Sequence, residues 1–257
     1  ANHVNNTGTT YASWTFRKKE KFFDIVTYTG NGTTLPYISQ AVSHNLGAVP
    51  AMMIVKQTSG ANGWVVYHKD IGNTHNLTLD ETTAKEAGGL AAWNNTTPTD
   101  TVFTVGADSN LTNKSGQTFV AYLFADNSAE DADDQMIKCG GFTGNATVDL
   151  GWEPQWILMK ESGAADNWRI YDSMRGIVTD SADALLSPNL SNAETAGNIM
   201  KLNPTGFTVV GAGGASTYIY MAIRAPMMVE PEAATDVFAA VTRNSSVGGV
   251  NYYTGFP

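Results

Sequence analysis

Short apolar runs bounded by glycine, asparagine, proline or serine recur along the whole chain. In the first half they are FFDIVTY (22–28), AMMIVKQ (51–57), GWVVYHK (63–69), TVFTVG (101–106) and TFVAYLF (118–124). Their length and their content of β-branched and aromatic residues are typical of β-strands. A helical turn is expected only in 79–93 and 181–197, where the pattern is short and interrupted. The pattern therefore predicts an all-β protein built of antiparallel β-sandwiches of jelly-roll or lectin-like type.

The chain contains an internal repeat. NLGAVPAMMIVKQTSGANGWVVYHKDIG (45–72) aligns without a gap with DLGWEPQWILMKESGAADNWRIYDSMRG (149–176), at an offset of 150 − 46 = 104. Two aromatic positions three residues apart recur, so their side chains are expected on opposite faces of a strand. They could form a platform for sugar rings, but recurrence favours the core, because structural needs are common to all copies. The predicted repeat core is Pro50, Trp64, Tyr67, Pro154, Trp168 and Tyr171.

The repeat also predicts the domain organisation. Residues 1–18 resemble the closing strand of a preceding repeat, 19–128 form the first β-sandwich repeat, 129–229 form the second, and 230–257 form a linker and the opening strand of a following repeat. The acidic segment DNSAEDADD (126–134) has the composition of a solvated linker. We therefore expect two separately folded sandwiches on a short tether. The split repeats at both ends indicate either a longer tandem array or strands that complete sheets in neighbouring subunits.

Composition argues against two classes of partner, nucleic acid and anionic membranes. Fifteen Lys and Arg against 24 Asp and Glu give a net charge of −9, which disfavours nucleic acid and anionic membranes. Only 15% of residues are charged, so Asn, Thr, Ser and Gly must supply the polar surface, as in extracellular or virion surface proteins. No apolar run approaches the ~20 residues of a membrane span, so no membrane insertion is expected.

Candidate chemistry is sparse. GAGGAS (211–216) follows a strand, but no helix follows it and the first repeat has a longer loop there, which favours a hairpin connection over phosphate binding. His44, His68 and His75 lack metal-ligand spacing, and the second repeat has no histidine at the positions of the first two. We interpret them as surface histidines.

Acidic residues offer a further possibility. Asp70 with Asp80, or Asp172 with Asp180 and Asp183, could serve glycoside hydrolysis, although acids at turns are ordinary solvated loop ends. The sequence thus predicts no catalytic, metal or cofactor site.

Loops vary most between the two copies. The differences lie in 34–42, in 72–95 against 176–198, and in 106–117 against 210–216. Variable loops on a retained scaffold are typical of binding surfaces. The candidate ligand or partner residues are Asn76, Trp93, Asn94, Asn110 and Asn113.

Several phrases resemble a known class of proteins. VTYTGNGT (26–33), VSHNLGAVPAMMIVK (42–56), GWVVYHKDIG (63–72), AAWNNTTPTDTVFTVG (91–106) and GQTFVAYLFA (116–125) are similar to the tandem repeat domains of marine bacteriophage virion proteins, notably those of cyanophages. This resemblance implies a non-enzymatic virion protein, a tail fibre or other exposed appendage, that is extracellular when released. Its implied partners are other virion subunits in a homo-oligomer and a host-surface glycan. It supplies no cofactor and no site residues.

Two alternatives remain at this stage. One is a glycan depolymerase on such an appendage, which requires a carboxylate pair about 5 to 9.5 Å apart in a groove. The other is a capsid decoration or extracellular filament assembled by strand exchange.

Overall fold

The computed structural model describes residues 7–8, 10–32, 38–106, 111–177 and 183–225, which form sixteen strands and one helix of five residues. The first half contains β1 (Phe23–Thr29), β2 (Gln40–Ser43), β3 (Met52–Gln57), β4 (Trp64–His68), β5 (Leu77–Thr78), α1 (Gly89–Trp93), β6 (Val102–Val105) and β7 (Thr118–Phe124). The second half contains β8 (Ile137–Thr143), β9 (Ala146–Asp149), β10 (Pro154–Glu161), β11 (Arg169–Asp172), β12 (Asp183–Leu185), β13 (Thr195–Gly197), β14 (Met200–Asn203), β15 (Gly206–Val209) and β16 (Thr217–Arg224). All paired strands are antiparallel, which confirms the all-β fold class. No described helix is long and apolar enough to cross a membrane.

The two halves contain sheets of corresponding order. The long sheet of the first half runs β1-β7-β3-β4-β5, and that of the second half runs β8-β16-β10-β11. Each half also has a smaller sheet, β2-β6 in the first and β9-β15-β14 in the second, and β12 pairs with β13. The loop 211–216 joins β15 to β16, which lie in different sheets, so the expected hairpin there is wrong.

Equivalent aromatic contacts join the two sheets within each half. Tyr28 lies edge-on to Phe103 at 6.2 Å and stacks on Phe119 at 5.2 Å. In the second half Phe142 lies edge-on to Phe207 at 6.3 Å and stacks on Tyr218 at 5.0 Å. The repeated sequence thus places the same ring geometry between a long sheet and its smaller sheet in both halves.

The central strands are buried on both faces. Met52 to Val55 in β3 and Trp156 to Lys160 in β10 are all buried, although successive side chains point to opposite faces of a sheet. A two-layer sandwich leaves the outer face of each sheet in water. Each long sheet must therefore be covered by a further layer besides its own smaller sheet.

The second layer on each long sheet is the other long sheet. In β10, Ile157 and Met159 pack in a core confined to the second half, whereas Trp156 and Leu158 belong to the core that contains the first half. From the first half, the imidazole of His68 hydrogen-bonds the carbonyl oxygen of Tyr220 in β16 at 3.0 Å. We call the apolar contact between the two long sheets, which includes Trp156, Leu158 and His68, the repeat interface.

The repeat interface makes the two repeats one structural unit. The chain through Ala225 forms a single compact unit, although its strands fall within the predicted repeat bounds. The described strands therefore lie in one compact unit, whereas two beads on a tether were expected. The physical reason is that each repeat has an apolar outer face, and burial of that face against the other repeat is worth about 25 cal/mol per Å².

The acidic segment between the repeats is partly fixed to the fold. The Asn127 side chain is buried and accepts hydrogen bonds from the backbone N–H groups of Met136 and Ile137, at 2.9 and 3.0 Å. Asp126 forms an ion pair with Lys69 of the first repeat. The segment is thus a structured connection rather than the expected solvated tether.

Residues 10–18 also differ from expectation, because they form no strand. The Phe16 ring lies 5.6 Å from Phe23, 5.6 Å from Phe124 and 5.8 Å from Trp156, between centroids. The segment therefore fills the end of the repeat interface within its own chain, because the Phe16 ring packs on aromatic residues of both repeats. The predicted opening strand within 230–257 lies outside the described residues.

Leu158→Ala tests the repeat interface. The substitution should lower the free energy of unfolding by about 3 kcal/mol, because Leu158 is buried in the core shared by both halves. Urea denaturation followed by circular dichroism and by tryptophan fluorescence should give one transition, shifted as a whole. Leu90→Ala is the control, since Leu90 is 58% exposed and should change the value by less than about 0.5 kcal/mol. Two separate transitions, of which only one shifts, would show that the repeats unfold independently.

Candidate functional site

The residues predicted as the repeat core lie mostly inside the protein. Those that are buried are Pro50, Tyr67, Pro154, Trp168 and Tyr171. Trp64 is half-buried, with its ring stacked on Tyr122 at 6.2 Å and the Lys56 ammonium 5.7 Å from its centroid. Trp168 donates its indole N–H to the carbonyl of Thr78 across the repeat interface at 2.9 Å. These aromatic residues build the fold and present no sugar platform.

The polar loop candidates also have structural positions. Asn76, Trp93 and Asn113 are buried, so their side chains are not available to a ligand. The Asn113 carboxamide accepts a hydrogen bond from the Asn31 N–H at 2.9 Å and donates to the Ile38 carbonyl at 3.1 Å. Buried loop backbone needs such partners, and Asn113 supplies them. Trp93 likewise donates its indole N–H to the His75 carbonyl at 3.1 Å.

The remaining loop candidates are Asn94 and Asn110. Asn94 is half-buried and ends α1 in the left-handed conformation, with φ at 53°. Asparagine tolerates that conformation better than most residues, so Asn94 has a local structural role. Asn110 lies outside the described residues.

A large cleft lies beside the end of the repeat interface. Its volume is about 1140 Å³, and its walls come from the N-terminal segment 10–16, the start of β10, the end of β11 with the turn after it, and the loop 191–194. We call it the aromatic cleft. The loop 191–194 belongs to the variable region 176–198, but the sequence did not predict that residues 10–16 would face it.

An ion network holds one wall of the aromatic cleft. The Arg175 Nε donates to Asp172 Oδ2 at 2.6 Å, and Nη1 donates to Glu194 Oε2 at 2.9 Å. Nη2 donates to the carbonyl oxygen of Ile170 at 2.9 Å. Asp172 is buried and also accepts from the backbone N–H of Arg175 at 2.9 Å. The network fixes the turn after β11 against the loop that carries Glu194.

Aromatic rings form the other part of the cleft. The Trp14 indole N–H donates to Asp172 Oδ2 at 3.1 Å, and the Arg175 guanidinium lies 5.4 Å from the centre of the Trp14 ring. These two contacts orient the half-buried ring. Tyr11 is 47% exposed and Met174 is 93% exposed, so apolar surface at this cleft faces water. Exposed apolar surface beside oriented polar groups is typical of binding sites.

Within the part of the chain that the structure describes, this ion network occurs in the second repeat and not in the first. At the repeat offset Asp172 corresponds to His68, which is covered by the second repeat. Asp172 instead lies where Trp14 of the N-terminal segment covers the sheet. This difference is visible in the sequence, where YHKDIG (67–72) of the first repeat aligns with YDSMRG (171–176) of the second and only the first and last residues are the same.

A family of domains matches residues 1–226 and is described as Domain of unknown function (DUF7483). The chain belongs to the DUF7483 family. The matched residues cover both repeats and end beside Ala225, where the compact unit also ends. The match thus spans the N-terminal segment and every strand that the structure describes. Comparisons with curated proteins and with solved structures give no significant match.

Two of the three histidines of the first repeat are buried in this DUF7483 domain, so the prediction of surface histidines is wrong for His44 and His68. Each accepts a backbone N–H at Nδ1, from Leu46 at 3.3 Å and from Asp70 at 3.2 Å respectively. Because a backbone N–H can only donate, each ring is neutral with its proton on Nε2, which donates to a carbonyl. His75 is half-buried, and no group of three metal-binding side chains occurs among the described residues.

The burial of His68 makes stability depend on pH. Burial lowers the pKa of His68 from 6.5 to about 4. As pH falls below 6.5, the unfolded chain takes up this proton before the folded chain does, so stability decreases between pH 6.5 and 4. The decrease from this residue should be about 3 kcal/mol.

His68→Gln tests this dependence. Urea denaturation at pH 7, 6, 5 and 4 should give a smaller loss of stability for the variant, because glutamine does not titrate. Leu90→Ala is the control, since Leu90 is exposed and does not titrate, and it should keep the wild-type dependence of stability on pH. Equal slopes in the wild type and His68→Gln would contradict a buried neutral imidazole at the repeat interface.

Proposed function

We propose that this DUF7483 member is a non-enzymatic structural module of a bacteriophage appendage, such as a tail fibre, that contributes to attachment by binding a host-surface glycan in the aromatic cleft. The virion setting rests on the resemblance of its repeat phrases to marine phage structural proteins. The observation that carries the glycan-binding part is the joint presence of oriented aromatic rings and polar side chains in one cleft.

The chemistry of a sugar ring matches this combination. A pyranose has faces of C–H groups that pack on an aromatic ring, and a rim of hydroxyl groups that need donors and acceptors. The cleft offers Tyr11 and Trp14 for the first purpose. Gln155, Asn192 and the half-exposed Glu194 carboxylate are available for the second. A few placed polar groups among aromatic side chains are the usual composition of a ligand site.

The Asp172 and Glu194 side chains support binding rather than hydrolysis. Both carboxylates accept hydrogen bonds from the same Arg175 guanidinium, and Asp172 also accepts from Trp14. A glycoside hydrolase needs one carboxyl group free to deliver a proton and a second free to act as base or nucleophile. Carboxylates tied to one arginine are better suited to fixing the shape of a cleft.

Several copies of this chain in one appendage would allow weak glycan binding by each copy to give firm attachment. One unit carries one aromatic cleft, formed where its N-terminal segment meets its second repeat. Several subunits in a homo-oligomeric fibre would present several clefts to the same surface. Multivalent contact raises overall avidity by about 10²- to 10⁴-fold without any new contact.

Tyr11→Ala tests the glycan site. Oligosaccharides that bind in a glycan-array screen should bind the variant about tenfold more weakly by calorimetry, a loss of about 1.4 kcal/mol. Trp14→Ala should weaken binding further, because it removes a ring and a partner of Asp172. Leu190→Ala is the control, since Leu190 is exposed on the nearby loop but does not line the cleft. Thermal melts of each variant identify any general loss of folding.

Three outcomes would contradict the proposal. They are an array without any bound glycan, binding that neither aromatic substitution changes, and release of new reducing ends from a bound glycan. The last result would favour the depolymerase.

A further inference from the structure

Arg175, the cation among the described residues of the aromatic cleft, is already paired within the protein. Each of the three nitrogen positions of the Arg175 guanidinium donates a hydrogen bond, to Asp172, to Glu194 and to the Ile170 carbonyl. The Arg175 side chain is only 14% exposed, so its charge is largely withdrawn from water. These contacts use three of its five N–H donors, and two of the three acceptors are carboxylates that already balance its charge.

The other described residues of the cleft provide no replacement. Apart from Arg175, its lining side chains are neutral or acidic, since Asp172 and Glu194 are the charged ones that remain. Two carboxylates against one guanidinium leave one net negative charge. Glu194 is the more accessible carboxylate, with 46% of its side chain exposed, and Arg175 contacts its Oε2 atom.

We propose that the aromatic cleft selects neutral oligosaccharides and rejects glycans that carry sulfate or carboxylate groups. This inference rests on the glycan-binding function proposed above and specifies its ligand class. Hydroxyl groups of a neutral sugar donate to the Glu194 carboxylate and exchange hydrogen bonds with Gln155 and Asn192. A sulfate in the same place meets a carboxylate of equal sign, and the Arg175 cation is already paired with two carboxylates, so its charge does not compensate for the lost hydration of the sulfate.

The charge of the whole chain acts in the same direction. A net charge of −9 slows the approach of anionic polymers at low ionic strength. This contribution is screened within about 10 Å at 0.1 M salt, whereas repulsion inside a partly buried cleft is screened less. Salt dependence and a local substitution together separate the two contributions.

Matched ligand pairs test the selection. Neutral glucan, mannan and galactan oligosaccharides, and the same preparations after chemical sulfation, are titrated into the full chain by calorimetry at 20 and 150 mM salt. At least one neutral preparation should bind, and its sulfated counterpart should bind at least about tenfold more weakly at 20 mM salt. The ratio of the neutral to the sulfated affinity should be smaller at 150 mM salt than at 20 mM salt, but it should stay above one.

Glu194→Gln removes the local charge and retains an acceptor for Arg175. We expect this variant to lower the ratio of the neutral to the sulfated affinity several-fold at 150 mM salt. Glu86→Gln changes the net charge equally, but Glu86 is an exposed residue of the first repeat outside the cleft, so the ratio should stay unchanged.

Each contrary result has a distinct meaning. Sulfated preparations that bind as tightly as the neutral ones would overturn the selection and leave glycan binding standing. Equal effects of Glu194→Gln and Glu86→Gln would place the selection in the overall charge rather than in the cleft, and would overturn this assignment. If no preparation of either kind binds, the proposed function fails and this inference fails with it.

Discussion

The structure depends on the burial of two apolar sheet faces against each other. Each long sheet has one face on its own smaller sheet and a second face that is equally apolar. In the first half this second face contains Ile54 and Val66, on the side of His68. In the second half it contains Leu158, which lies beside Ile170. Water cannot cover such faces without a large cost in free energy. The two long sheets therefore share one core, and the family match extends over both of them.

The aromatic cleft follows from how this interface ends. Where the two sheets separate, Phe16 fills the space between Phe124 and Trp156. That anchor brings Trp14 onto Asp172, and the remaining gap is the cleft. The candidate site thus has no counterpart inside either repeat alone. It requires the N-terminal segment, the end of the repeat interface and a loop of the second repeat.

The sequence carried more information about strands than about their partners. Short apolar runs predicted β3, and the internal repeat extended that prediction to β10. The same runs do not specify which surface covers the second face, so two tethered sandwiches were equally consistent with the pattern. Loop polarity was ambiguous for a related reason. The amide of Asn113 satisfies buried backbone, whereas Glu194 is half-exposed at a cleft, and composition alone does not distinguish these uses.

The central claim is that the repeat interface makes the pair of repeats one cooperative domain. Native-state hydrogen exchange of the full chain, read at the amides of β3 and β10, tests it most directly. The account predicts that both strands exchange through the same global opening, with equal free energies and an equal dependence on denaturant. Exchange of one strand at a clearly lower free energy than the other would mean that one repeat opens while the other stays folded, and would contradict the account.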